Sequence, residues 1–365
     1  MPELYPSLHV LGSRQFGGAD QFYVRLLRAL REAGQPVTAV NRRGTPVAAE
    51  LEKSAIEQIH YPLANQWDMW SVWRIRQLAQ ARQPCVVQTY MGRATRLTRL
   101  PRNAPTVHVA RLGGYYKIDG YYRHAHAWIG NTQGVCDYLV KSGLPAGRVF
   151  KIGNFVPDPL APGEAERVAL REELGVPDGA WAVFALGRFG PAKGFEDLLT
   201  AFARLPAEIG GRPSALLIAG DGPMRESLRR LATDLSLDGR VLWLGWRHPV
   251  DAFYAMADVF VCPSRHETLG NVILEAWNHG VPVVSTATCG ALELIEDGRT
   301  GLCCPCADPD ALAGQIKAML ESDAAVRREL GEAGRRTVTA RFGRAAIVGA
   351  YLELYERLLR ERGMG

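Results

Sequence analysis

The stretch "ADVFVCPSRHETLGNVILEAWNHGVPVVSTA", residues 257–287, decides the architecture. An apolar, β-branched run, "DVFVCPS", passes through a polar loop into a helix-period segment that begins near Gly270 or Asn271. A second apolar run, "VPVVSTA", follows. Strands without polar alternation, joined through a helix, read as a βαβ crossover in a parallel sheet covered on both faces. Two acids frame the helix start: Glu267 in the loop before it and Glu275 about one turn inside.

The same alternation runs outward in both directions. Strand candidates in the first half are "LHVLG", "PVTAVN", "IEQIHY", "CVVQTY", "TVHVARL", "AWIGNT" and "VFKIGNF". In the second half they are "WAVFALG", "SALLIAG", "RVLWLG", "DVFVCPS", "VPVVSTA" and "GLCCP". Helical segments such as "ADQFYVRLLRALREAG", "FEDLLTAFARL" and "PMRESLRRLATDL" separate them. The fold class is α/β, with two doubly wound, Rossmann-like domains predicted over residues 1–156 and 157–344. The proline-rich "NFVPDPLAPGEAE" is the expected linker. The amphipathic segment 345–365 is a helix that can pack back on the first domain. Such sheets bind ligands beyond the carboxyl ends of their strands, so an interdomain cleft is expected.

Composition sets limits. At 365 residues, 47% hydrophobic and 22% charged, the chain has ordinary globular values. No apolar run reaches the ~18 residues of a membrane helix, and the start "MPELYPSLHVLGSRQF" lacks a signal-peptide pattern, so a cytoplasmic protein is expected. Seven scattered cysteines, odd in number, argue against a disulfide framework; "GLCCPCADP" reads as a buried strand end rather than a thiolate metal site. The single D-x-D, Asp308-Pro309-Asp310, reads as a helix cap, and no metal or cofactor is expected. Net charge is only +5, yet the span from Met69 to Lys117 holds nine basic residues and no acid, a field that attracts anions.

The chemistry-bearing residues fall at strand ends. After the first strand, Gly17 and Gly18 let backbone approach a ligand closely, and Asp20, a candidate acceptor contact, lies in the following first turn. In "FALGRFGPAKGFEDLL", Arg188 and Lys193 flank a glycine-containing loop, so that both can reach one diphosphate, the arginine by its fork and the lysine as a point charge. "LLIAGDGPMRESL" adds a glycine turn, where Asp221 reads as a cap for the next helix. At the helix start near residue 270, N–H groups lacking intrahelical acceptors and the macrodipole favour an anion.

"GRFGPAKG", "IAGDGP", "LGW" and "ADVFVCPSRHETLGNVILEAWNHGVPVVSTATCGALELIEDGRTGL" together resemble the E-x7-E retaining glycosyltransferases of the GT-B fold, the group 1 or family 4 enzymes, from Ala182 to Lys317. The "FGGADQF" loop suits the family's N-terminal glycine motif. The resemblance implies that Arg188 and Lys193 hold the donor diphosphate, Glu275 the ribose and Glu267 the transferred sugar. The backbone of Thr268, Leu269, Gly270 and Asn271 would contact phosphate and sugar, Gly17 and Gly18 would close over the donor, and Trp246 and Arg247 would border the base. It implies sugar transfer from a nucleotide diphosphate, with UDP favoured, by front-face displacement without metal.

Many members carry a histidine at the end of the fifth strand; here Arg111 stands there, with His108 inside the strand and His124 and His126 in "YYRHAHAWIGNT" read as surface and strand-edge residues. Arg111 is the preferred partner for an anionic acceptor or the donor phosphate. In "NQWDMWSVWRIRQLAQAR", Trp67, Trp70 and Trp73 recur at spacing three, with Arg74 and Arg76 beside them. Such a stripe suits an anionic membrane surface or a core-facing helix. The "RLGGYYKIDGYYRHAHAWIGNT" style is similar to transferases of bacterial lipopolysaccharide assembly, implying a lipid-linked or phosphorylated acceptor at the inner face of the cytoplasmic membrane. The alternatives are a nucleotide-sugar 2-epimerase on this fold or a nucleic-acid-binding module.

Overall fold

A computed structural model describes residues 4–101, 103–157, 159, 163–247 and 249–363. Arg102 of the basic span and Asp158, Leu160, Ala161 and Pro162 of the expected linker lie outside the described residues. Two compact units result: 1–155 with 343–365, and 156–342.

The first unit is a parallel sheet of β1 (Ser7–Leu11), β2 (Val37–Asn41), β3 (Glu57–His60), β4 (Cys85–Tyr90), β5 (Thr106–Leu112), β6 (Ala127–Gly130) and β7 (Val149–Lys151). Its order is β3-β2-β1-β4-β5-β6-β7, so the winding reverses between β1 and β4. The central strands β1, β4, β5 and β6 are buried along their whole length, in keeping with their mostly apolar sequences, and their few polar side chains are enclosed with them.

Helix Arg344–Arg360 completes this unit. Ile347, Val348, Tyr351, Leu354, Tyr355, Leu358 and Leu359 form its buried stripe, packed in the same core as helix Gly18–Glu32. Each such side chain contributes roughly 1.5–3 kcal/mol of gross burial energy. Polar ties fix its register. Arg111 Nε donates to the Tyr351 hydroxyl at 2.9 Å, and Tyr355 donates to Gln88 Oε1 at 2.6 Å. Gln88 Nε2 in turn donates to Tyr90, whose hydroxyl meets His9 Nδ1 at 2.8 Å.

The second unit repeats the design with β8 (Trp181–Leu186), β9 (Glu208–Ile209), β10 (Arg212–Ala219), β11 (Val241–Gly245), β12 (Val259–Cys262), β13 (Val283–Thr286) and β14 (Leu302–Cys304). The parallel order is β11-β10-β8-β12-β13-β14, reversing between β8 and β12. The two-residue β9, absent from the sequence expectation, pairs antiparallel with β10 through Gly210 and Gly211, whose φ values of +60° and +74° suit a tight hairpin. Asp308 caps helix Pro309–Glu321 by accepting from Ala311 N at 2.9 Å, and Asp310 pairs with Arg204. Cys304 is buried in the core, and no cluster of metal-ligating side chains occurs among the described residues.

His108 lies inside its strand and His126 at the edge of β6, as expected, whereas partly buried His124 corrects the surface reading. His108 is buried and its ring lies 5.4 Å from that of His124; His126 Nδ1 accepts from the His108 N–H. His124 Nε2 donates to the carbonyls of Thr95 and Thr98. Burial lowers His9 to about 3 and His126 to about 4, and pushes His108 well below its usual value. Unfolding therefore takes up protons. The stability held above about pH 6.5 is lost as pH falls toward the folded values, by ~1.4 kcal/mol per pH unit for each such histidine. Urea midpoints measured from pH 7 to pH 5 should fall steeply, and His9→Asn should flatten that slope; a pH-independent midpoint would contradict this.

Candidate functional site

In the second unit the winding reverses between β8 and β12, and a doubly wound sheet binds beyond the carboxyl ends of the strands at such a point. Two loops are joined there. The loop after β8 ends in a tight turn, Pro191–Lys193, and Gly194 with φ +63°. A Cβ on Gly194 would sit 2.0 Å from the Pro263 carbonyl oxygen, so only glycine allows this approach. The loop after β12 is clamped to it twice. The Ala192 carbonyl accepts backbone N–H groups from Arg265 at 2.9 Å and His266 at 3.1 Å. The Arg265 guanidinium forks onto the largely buried Asp197 carboxylate with both bonds at 2.7 Å.

This clamp brings Lys193 and Glu267 into a partly sheltered ion pair. Burial costs the Lys193 ammonium hydration, but the charge and hydrogen bond of Glu267 outweigh that and hold its pKa above the ordinary lysine value. An ammonium has three donors and a carboxylate two oxygens, so the pair retains capacity for both an anion and a hydroxyl.

Thr268, Leu269 and Gly270 lead into helix Asn271–Asn278, whose N-cap Gly270 has φ +84°. Gly290 braces this turn from below. Its N–H donates to the Glu267 carbonyl at 3.0 Å, and a Cβ there would lie 2.7 Å from Leu269 N. Glu275 lies on the same helix and accepts from the buried Tyr254 hydroxyl at 3.2 Å. Arg188 is exposed beside Gly187 and makes no ion pair among the described residues.

Bare backbone extends sideways from β8. Gly187 N donates to Ala219 O at 3.0 Å, and Gly220 N to Gly245 O at 2.8 Å. A Cβ on Gly220 would sit 1.9 Å from the Gly187 carbonyl oxygen. Beyond β11, Trp246 is 67% exposed, while Arg247 Nε donates to Leu244 O at 2.9 Å. Asp221 corrects its assignment as a cap. Its Oδ1 accepts from the adjacent Gly222 N–H at 2.8 Å, whereas helix Arg225–Asp234 has Met224 as N-cap.

In the first unit Gly17 is the N-cap of helix Gly18–Glu32, and Asp20 Oδ2 accepts the Gly17 N–H at 2.8 Å. Asp20 is thus a buried cap rather than an exposed acceptor contact. Arg111 also departs from the expected role. It is 5% exposed, bonded to Tyr351 and Asn154, with its guanidinium 4.1 Å from the Phe22 ring centroid. Its aliphatic stem and fork serve the core that holds the last helix. Trp67, Trp70 and Trp73 are exposed, with Arg74 over the Trp70 and Trp73 rings and Arg76 exposed, so the core-facing reading of that stripe is overturned.

Sequence reasoning missed Tyr254, the Asp197–Arg265 fork and the bracing role of Gly290. Only Gly290, in "TCGALE", carries a visible signal, as a glycine at a strand–helix junction.

Comparisons with known proteins show the family and the fold. The pattern of the family "Glycosyl transferases group 1" matches residues 166–337. The chain is similar to lipopolysaccharide core biosynthesis glycosyltransferase LpsE of Rhizobium meliloti (strain 1021), 35% identical over 340 residues, covering 93% of this chain and 95% of that protein. LpsD of the same organism, with the same description, is 31% identical over 347 residues, covering 95% and 97%. Among solved structures, Anabaena HepE in complex with UDP and glucose has a TM-score of 0.83 at 21% identity, covering 96% of this chain and 99% of that one. The near-full-length relatives and the fold together define a glycosyltransferase with the two Rossmann-like domains of the GT-B fold. The chain belongs to the group 1 glycosyl transferases.

Gly290→Ala should displace the 267–270 turn while leaving both cores intact. A shift of about 1 Å at such a site costs on the order of 100-fold in kcat/KM. The steady-state rate, with circular dichroism as the check on folding, reads this; an unchanged rate would show that the turn lies outside the site.

Proposed function

We propose that the enzyme transfers a sugar, with retention at the anomeric carbon, from a UDP-sugar to a hydroxyl of a lipid-linked or phosphate-bearing glycan. The setting is lipopolysaccharide or envelope polysaccharide assembly at the inner face of the cytoplasmic membrane. The observation that carries it is the Lys193–Glu267 pair at the reversal point of the second sheet, beside the helix start at Gly270. Two relatives that match nearly the whole chain are described as lipopolysaccharide core enzymes, which supports the acceptor class. The UDP-bound state of HepE favours uridine.

On this reading Lys193, Arg188 and the backbone at 268–271 receive the diphosphate. Glu275, steadied by Tyr254, accepts from the ribose hydroxyls, and Glu267 accepts from the sugar. The bond between the anomeric carbon and phosphate oxygen breaks as the acceptor oxygen bonds to that carbon on the same face. The acceptor proton passes to the departing phosphate oxygen, and UDP leaves. Fixed donors aimed at the leaving group supply the stabilisation, and no metal is required. Trp246 and Arg247 border the base, and the glycine row at β8, β10 and β11 is its floor. No described helix is long and apolar enough to cross a membrane, so membrane association would be peripheral.

A thermal-shift screen with UDP-, GDP- and ADP-sugars tests the donor. At 100 times Kd a bound nucleotide adds about 2.7 kcal/mol, so a UDP-sugar should raise Tm by several degrees. A rise with GDP- or ADP-sugars alone would overturn the uridine assignment. NMR of the product should show the donor's anomeric configuration, with turnover unaffected by EDTA. Inversion, metal dependence, or release of an isomerised donor without acceptor would each contradict the reading.

A further inference from the structure

Exposed large apolar side chains concentrate on one face of the first unit: Trp67 at 67%, Met69 at 71%, Trp70 and Trp73 at 51% each, and Met91 at 37%. The helix Met69–Ala81 shows why. Its core-facing residues are Ser71, Ile75 and Ala79, one stripe at four-residue spacing. Trp70 and Trp73 lie off that stripe, so burying the helix leaves both indoles outside.

These rings are held in place. The Arg96 guanidinium lies 4.3 Å from the Trp67 ring centroid while donating to the carbonyls of Gln66 at 3.1 Å and Gly120 at 2.8 Å. Arg74 lies 5.7 Å from the centroids of Tyr61, Trp70 and Trp73. The nearby acid Asp68 is engaged as the helix N-cap, accepting from Ser71 and Ala64, and Glu57 is paired with Arg82. The face therefore presents rigid indoles and methionines among arginines; the chain from Met69 to Lys117 carries no acid, and Trp67 and the engaged Asp68 lie just before that span.

We infer that this face docks on an anionic lipid bilayer, indoles at headgroup depth and Arg74, Arg76, Arg93 and Arg96 against lipid phosphates. Charge complementarity selects the occupant. A basic surface attracts an anionic partner, repels a cationic one and gains nothing from a neutral one, and tryptophan beside arginine partitions to the water–lipid interface. Nucleic acid fits less well, because the indoles already carry guanidinium groups and methionines lie beside them. The inference deepens the proposed lipid-linked acceptor by naming the surface that meets its membrane.

Flotation of the full chain with vesicles of phosphatidylcholine alone, or with phosphatidylglycerol added, tests it. Binding should appear only with phosphatidylglycerol and weaken with salt. Arg76→Gln should lower it about fivefold, and Trp67→Ala/Trp70→Ala/Trp73→Ala should lower it at least about tenfold. Single Trp73→Ala guards against misfolding of the triple variant, and indole fluorescence of the unaltered chain should shift blue on vesicles. Equal binding to both vesicles, no binding, unchanged binding by the tryptophan variants, or preferential capture by a DNA oligomer would each overturn the inference. Flotation needs no donor, so a chain that floats but binds no UDP contradicts the donor reading alone.

Discussion

The site depends on the clamp between the loops after β8 and β12. The Ala192 carbonyl and the Asp197 carboxylate together hold Arg265 and His266. Without that clamp Lys193 and Glu267 would sit on independent loops, and an ion pair between flexible surface side chains would contribute less than about 1 kcal/mol. With it, a cation and an anion are fixed side by side over a helix N-terminus. The clamp also explains why Gly194 cannot carry a side chain, since Pro263 occupies the space.

Electrostatics and sterics thus divide the work within the second unit. Backbone does the sterics: Gly187, Gly220, Gly245 and Gly290 keep the strand ends bare or brace a turn. Side chains do the electrostatics: Lys193 and Glu267 at the centre, Arg188 exposed on the same loop as Lys193, and Glu275 steadied by Tyr254. The first unit uses its charged groups differently. Arg111 and Asp20 are enclosed, one tying the final helix to the sheet and the other capping the first helix. Arg74 and Arg96 lie instead against the exposed tryptophans.

The strands were legible because parallel sheets bury both faces, so runs such as "WAVFAL" and "CVVQTY" leave no polar alternation to confuse with a surface strand. The two-residue β9 falls below any periodic signal. Helix 271–278 was legible from the break at Gly270, a residue able to take φ +84°. Contacts were not legible. Lys193 and Glu267 are 74 positions apart, and no spacing rule joins them. Arg111 looked like a site residue because it stands at the end of the fifth strand, where many family members carry a histidine; its enclosing partner, Tyr351, lies 240 positions away. The spacing of the tryptophans allowed core or surface, and the core stripe at Ser71, Ile75 and Ala79 decides for surface.

Isothermal titration of UDP into the unaltered chain and the Lys193→Met variant tests the central claim most directly. Removing the ammonium from the clamped pair should weaken UDP binding by at least about tenfold, the loss of a charge-assisted phosphate contact. The same affinity in both proteins, with both folded, would show that the cation at the sheet's reversal point does not hold the donor.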